Sequence, residues 1–350
     1  MTLRHFKAPL LGALLLACAA TAVQADNDDD DNEPRDRGYC TATAKLVFSA
    51  CGFEARDDLM LAKAKCINVS DARDRAQCLA DARDEYKDNG KSCRAQLEGR
   101  RAACAVLGEG RYDPPFTPDL FDSDFRQLSN PNPYFPLSIG NRWVYLGEGE
   151  RNVVEVVNET KNIEGVTCIV YRDLVYQDGQ LKEATDDWFA AGRDGSTWYC
   201  GEEVKDYASF DGDVPRRPEL VSRDGSFKHG VEGNKAGLIM PARPRAGQVY
   251  LEEFALGEAE DVSQILSANY AFGAGGALDQ LVPRDLALRL CGNRDCVVTK
   301  NYSLLEPGVY ALKYYARGIG FFLETKPLEG QRLQLTECNF DARCVALPVP

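Results

Sequence analysis

Histidine is nearly missing: the chain of 350 residues has 2, and one of them, His5, falls in the first 25 residues. With His229 as the only other imidazole, paired-histidine metal centres and HExxH helices cannot be built. A serine triad would have to use His229 in Phe227-Lys228-His229-Gly230. That setting reads as an exposed loop, and no G-x-S-x-G elbow supplies a nucleophile. No CxxC pair occurs, which removes thioredoxin-like redox chemistry and zinc ribbons. The glycine-rich Gly273-Ala-Gly-Gly276 lacks both a P-loop lysine and GxGxxG spacing. Positive charge is also short, with 41 Lys and Arg against 54 Asp and Glu for a net of −13. No basic stripe offsets that excess, so nucleic acid is excluded as a partner. Beyond the first 25 residues no apolar run is long enough to span a bilayer.

What is plentiful is cysteine, at 13. Residues 1–25 carry Arg4 and Lys7, an apolar run and the ending Val23-Gln24-Ala25, the pattern of a secretory signal cleaved after Ala25. The rival reading takes Leu15-Leu16-Ala17-Cys18 as a lipobox with Cys18 as lipid anchor, although Leu16 is bulkier than such a box prefers. Either route leaves an even 12 cysteines, and an exported chain with an even count is expected to pair them as disulfides. The expected location is periplasmic or secreted, or the outer membrane if Cys18 is lipidated. Residues 26–38 are read as an acidic disordered tail; its like-charge block, residues 26–33, lacks the glycine and distal glutamate of a calcium loop.

The expected fold is α+β and multidomain. Residues 39–107 have helical composition, and their cysteines Cys40, Cys51, Cys66, Cys78, Cys93 and Cys104 are spaced 11, 15, 12, 15 and 11 residues apart, a palindrome about residue 72. Two antiparallel helices turning there would set three rungs level: Cys40 with Cys104, Cys51 with Cys93, and Cys66 with Cys78. Gly52, Asn89-Gly90 and a helix-start signal at Val69-Ser70-Asp71 are also compatible with a broken bundle, which would permit Cys40 with Cys66 and Cys78 with Cys104. Cys51 with Cys93 is common to both. Residues 108–136 alternate prolines with aromatics and read as an extended connector packing through Phe116, Phe121, Phe125, Tyr134 and Phe135. Residues 137–350 show short apolar runs between turn signals, predicting one large antiparallel β domain of about ten to twelve strands, a sandwich or half-barrel. Within it Cys291 and Cys296 would clamp a hairpin turn and Cys338 and Cys344 a C-terminal loop, leaving Cys168 to pair with Cys200.

Carboxylates are the one catalytic resource the composition offers. Asp187, Glu252, Glu260 and Asp261 are the candidates, with Trp143, Trp188, Trp198 and Tyr199 as a sugar platform for a glycan hydrolase. The same acids are of the ligand type a calcium site uses. In a chain with so many acids such pairs also arise by chance, and Glu258, Glu260 and Asp261 ahead of Val262, Ile265 and Leu266 read as a helix N-terminus. The stretch Pro133-Tyr-Phe-Pro-Leu-Ser-Ile-Gly-Asn-Arg-Trp-Val-Tyr145, with Gly237-Leu-Ile-Met-Pro-Ala242 and Lys313-Tyr-Tyr-Ala-Arg-Gly318, resembles a group of uncharacterised bacterial secreted proteins and lipoproteins. The resemblance spans about residues 130–325, and the six-cysteine helical module is similar to that group's companion segment. It implies a β-rich domain and brings no catalytic residue with it. The expected role is therefore a non-enzymatic exported module that binds an envelope or extracellular ligand, polymer or protein, with carboxylate-dependent glycan hydrolysis as the alternative.

Overall fold

Two long helices, α1 (Tyr39–Cys66) and α2 (Ala72–Leu107), open the computed structural model, which describes residues 38–273 and 276–350. The leader, the Cys18 alternative, nearly all of the acidic tail and part of the glycine-rich run lie outside these residues. The unbroken hairpin is the one that forms. Cys40–Cys104, Cys51–Cys93 and Cys66–Cys78 are bonded, with Cα separations of 5.6, 5.8 and 5.6 Å. Asp71 is the N-cap of α2, accepting from the backbone N–H groups of Arg73 (2.8 Å) and Asp74 (3.0 Å). Gly52 and Gly90 do not interrupt their helices. A mid-helix glycine costs about 1 kcal/mol, and here each lies within a turn of the Cys51–Cys93 crosslink, a type of bond that typically contributes about 2–4 kcal/mol.

The β region forms sixteen strands among the described residues, more than the sequence predicts because several are only two to four residues long. They are β1 (Arg142–Gly147), β2 (Glu150–Ile163), β3 (Val166–Gln177), β4 (Gln180–Ala191), β5 (Thr197–Glu203), β6 (Asp206–Ala208), β7 (Glu219–Ser222), β8 (Phe227–Lys228), β9 (Lys235–Met240) and β10 (Val249–Leu251). There follow β11 (Glu253–Phe254), β12 (Asp261–Tyr270), β13 (Cys296–Ser303), β14 (Ala311–Ala316), β15 (Gly320–Lys326) and β16 (Gln331–Cys338), with the helix α3 (Arg284–Leu290) between β12 and β13. The order along the sheet is β10-β12-β13-β14-β15-β16-β1-β2-β3-β4-β5-β9-β11, with antiparallel pairing throughout. Of the sandwich and half-barrel alternatives, the result is closer to the barrel, and it is nearly closed. One run of chain joins the two ends: Val249–Leu251 pairs with β12 and Glu253–Phe254 with β9. Gly237 on β9 makes this possible, since a Cβ there would collide with the backbone of Glu252.

The helix start expected at Glu258–Asp261 does not form; Asp261 instead begins β12. Pairing on both sides, to β10 and β13, satisfies this backbone as strand, and Val262 and Ile265 are β-branched residues that suit it. The remaining cysteines pair as Cys168–Cys200, Cys291–Cys296 and Cys338–Cys344. Phe116, Phe121, Phe125 and Tyr134 of the connector are buried against the barrel wall, and Phe135 is half-buried. The helical hairpin docks on the same body. Ala103 packs with Leu251, Val262 and Leu304, and Gln96 Nε2 donates to the carbonyl of Leu305 (3.0 Å).

Candidate functional site

Alternation along a closed sheet sends every second side chain into the lumen. In β3 the inward set is Ile169, Tyr171 and Asp173, while Cys168 and Val170 face an outer cluster covered by Phe116 and Phe121. Trp143, Val156, Ile169 and Leu335 fill part of the interior as core. The remainder is a cavity of about 280 Å³. Its walls come from β1, β2, β3, β4, β5, β9, β12, β14, β15, β16 and the Glu252–Glu253 crossing, so it is the lumen of the barrel and not a surface dent.

The lining chemistry is lopsided. Asp173, Asp187, Glu252, Glu253, Asp261 and Glu324 face the cavity, and Lys313 is the one basic residue that does so among the described residues. The aromatic side chains of Tyr145, Tyr171, Phe189, Tyr199, Tyr315 and Phe321 make up much of the wall between them. Lys313 stands in register opposite Glu324 on β15, and Glu252 is the acid that acts on it most strongly. Burial opposes the ammonium form of Lys313, yet Glu252, Tyr315, Glu324 and Asp261 together hold its pKa above the usual lysine range.

Each acid is held by its strand and neighbours. Tyr199 donates its hydroxyl to Asp187, which lies opposite Tyr171 on β3 and Glu202 on β5. Glu252 accepts from Asn301 Nδ2 (2.8 Å), and Asn301 is itself oriented by Thr299 Oγ1 (2.5 Å). Asp173 is different: its Oδ1 is buried with no hydrogen-bond partner among the described residues, and the same is true of Oδ1 of Asn152 on β2. Burial pushes the carboxyls of Asp173, Glu202 and Glu253 well above the usual range, with neighbouring carboxylates adding to the shift, and raises Glu252 less. Asp187 is pushed up to about 7 by burial and by Glu183 and Asp186, against the Tyr199 hydrogen bond.

The candidates therefore divide. Asp187, Glu252 and Asp261 line one cavity, while Glu260 is elsewhere. Buried at the foot of the helical hairpin, it takes a two-pronged contact from Arg100, whose Nε and Nη2 lie 2.8 and 2.7 Å from its carboxylate oxygens. Of the proposed sugar platform only Tyr199 reaches the cavity. The Trp143 indole donates to Ile319 O (2.9 Å) within the core, and Trp188 faces the outer cluster with Lys161 Nζ 3.4 Å from its ring centroid. His229 is not an exposed loop residue. It is half-buried, its Nδ1 accepts from Ala236 N (2.9 Å), its ring lies 4.3 Å from that of Phe116, and burial lowers its pKa. The disagreement has a local cause, since Phe227 and Lys228 form β8 against β5 and draw the next residue into the structure. Asp173, Glu324, Asn152, Tyr145, Tyr171 and Tyr315 were missed. Their signal is a polar residue at an inward position of an alternating strand, legible only once inside and outside are known.

Protein-family models, curated proteins and solved structures give no match to this chain. The reading rests on the cavity itself. Among the described residues no three His, Cys, Asp or Glu side chains converge as a group able to hold a metal ion, and of the acids weighed for calcium Glu260 lies outside the cavity.

One consequence is measurable without a ligand. A carboxyl whose pKa is higher folded than unfolded keeps a proton that the unfolded chain has released. Stability therefore falls as pH rises from the unfolded value, about 4, through the folded one. For Asp187 that window closes at about 7, and Asp173, Glu202, Glu252 and Glu253 act in the same direction. His229, with its lowered pKa, opposes them as a single group. Urea denaturation of the empty protein is expected to give a lower midpoint at about pH 7.5 than at about pH 5. A midpoint that rises over this range would contradict the description of the lumen.

Proposed function

We propose that the protein is an exported, non-enzymatic binding module that takes a small ligand into the lumen of its barrel. One observation carries this. A nearly closed barrel would stabilise itself best by filling its interior with apolar side chains, yet here the centre keeps a polar cavity in which buried Asn152 and Asp173 oxygens have no partner. Groups that weaken the empty fold are what a ligand site looks like. The cavity lies near the small end of the usual range for ligand pockets, about 300–1,000 Å³. Export is supported by the leader pattern and by six disulfides among the described residues, bonds that persist in oxidising compartments. No described helix is long and apolar enough to cross a membrane.

The test is native mass spectrometry of the full chain with spermidine, maltotriose and decanoate, beside a Val154→Trp variant that fills the lumen. One-to-one binding of a probe that the variant loses is the expected result. Binding that survives the filling, or no binding of any probe, would contradict the proposal. Glycan hydrolysis has one observation in its favour: Asp187, held near neutrality in an aromatic cavity, has the acidity of a general acid. Release of products from maltotriose or chitotetraose that stops in Asp187→Asn would establish that reading instead.

A further inference from the structure

Resting on the lumen reading, we propose that the ligand is a small linear oligo-amine, held with its cationic nitrogens between the Asp173 side of the barrel and the Glu253 and Asp261 side, and with its methylenes against the tyrosine and phenylalanine walls. Charge sets the sign of the ligand. Six carboxylates line the cavity against the single ammonium of Lys313, which they share, so negative charge is in excess and an anion would meet net repulsion. The unpaired Asn152 oxygen is an acceptor, and so is that of Asp173 in the ionised form, so a partner that completes both donates hydrogen and favours the carboxylate, as an ammonium group does.

Placement then sets the shape. Asp173 is on β3 and Asp261 on β12, and in the sheet order β4, β5, β9 and the β10–β11 crossing separate them one way, and six strands, β13 to β16 with β1 and β2, the other. Acidic groups thus face one another across the lumen. A compact metal ion would need them gathered, and they are not. A chain with nitrogens at intervals can reach both sides while its apolar links cover aromatic rings, which also attract cations through their faces. The raised carboxyl pKa values give a further handle, because a cation favours the ionised forms and so binds more tightly as pH rises.

Isothermal titration calorimetry of the full chain tests this, with spermidine, the monocation hexylamine, calcium chloride and maltotriose as probes. Spermidine is expected to bind one-to-one, at least about tenfold more tightly than hexylamine or calcium. Asp173→Asn and Glu253→Gln are each expected to weaken it by about tenfold. Both replacements keep side-chain shape, and circular dichroism verifies the fold. Asn152→Val, which removes the orphan acceptor without touching any charge, should also weaken spermidine, whereas attraction to a negative surface would ignore it. Equal affinity for hexylamine, or indifference to all three variants, overturns the assignment. Binding of maltotriose but not spermidine overturns the amine and leaves the lumen reading standing. No binding of any probe overturns both.

Discussion

Replacing Arg100 with alanine is expected to cost about 3–5 kcal/mol of stability, read as a lowered denaturant midpoint. Arg100 and Glu260 are side chains with only 4% and 3% of their surface exposed, joined through both carboxylate oxygens. Gly257 N adds a third donor to Glu260 at 2.7 Å. Truncating the arginine leaves a buried anion with its main partner gone, and its desolvation is no longer offset. Glu260→Ala strands the guanidinium in the same way. The pair Arg100→Met with Glu260→Leu removes both charges and is expected to lose much less than the sum of the singles, giving a coupling of about 2–3 kcal/mol in a double-mutant cycle. Additive losses below about 1 kcal/mol would show the contact to be a solvated surface pair. Either single variant should bind a lumen ligand as the native protein does, because the pair holds the helices to the wall and lies outside the cavity.

The helical hairpin was nearly complete in the sequence. Six cysteines in palindromic spacing define a turn and three levels, and two helices near 72 satisfy all of them. What spacing could not decide was whether Gly52 and Gly90 would break the helices, because that is settled by crosslinks and packing beyond the local chain. The β region was legible as antiparallel from its turn signals and alternation. Its closure was not, because it depends on Glu252 and Glu253 meeting β9, a contact permitted by the missing side chain of Gly237. The site followed the same rule. Asp187, Glu252 and Asp261 could be singled out as acids, but so could Glu260, which has an identical local appearance and the opposite role. Alternation says that Lys313 and Asp173 oppose their apolar neighbours, and polar alternates are ordinarily assigned to solvent. In a barrel the second face is a lumen, so these residues turn inward together.

Asp173→Asn is expected to stabilise the empty protein. Asparagine has nearly the shape of aspartate and no charge to desolvate. At neutral pH the native carboxyl must either hold a proton that water would remove or carry a charge beside Asp187, Glu183 and Glu150. Relief of that conflict contributes about 1 kcal/mol or more, and the gain should shrink as pH falls and the carboxyl becomes protonated in the unfolded chain too. A residue kept for the fold behaves in the opposite way, losing stability when its chemistry is removed. Only a residue kept for a ligand stabilises the empty fold and weakens binding when neutralised.

The decisive measurement is therefore urea denaturation of the native chain and Asp173→Asn, each with and without spermidine, at about pH 7.5 and about pH 5. The account predicts a higher midpoint for the variant when empty at the higher pH, a smaller difference at the lower pH, and a shift with spermidine that is larger for the native chain. A lower midpoint for the empty variant at the higher pH would contradict it, and would make the lumen acids part of the fold.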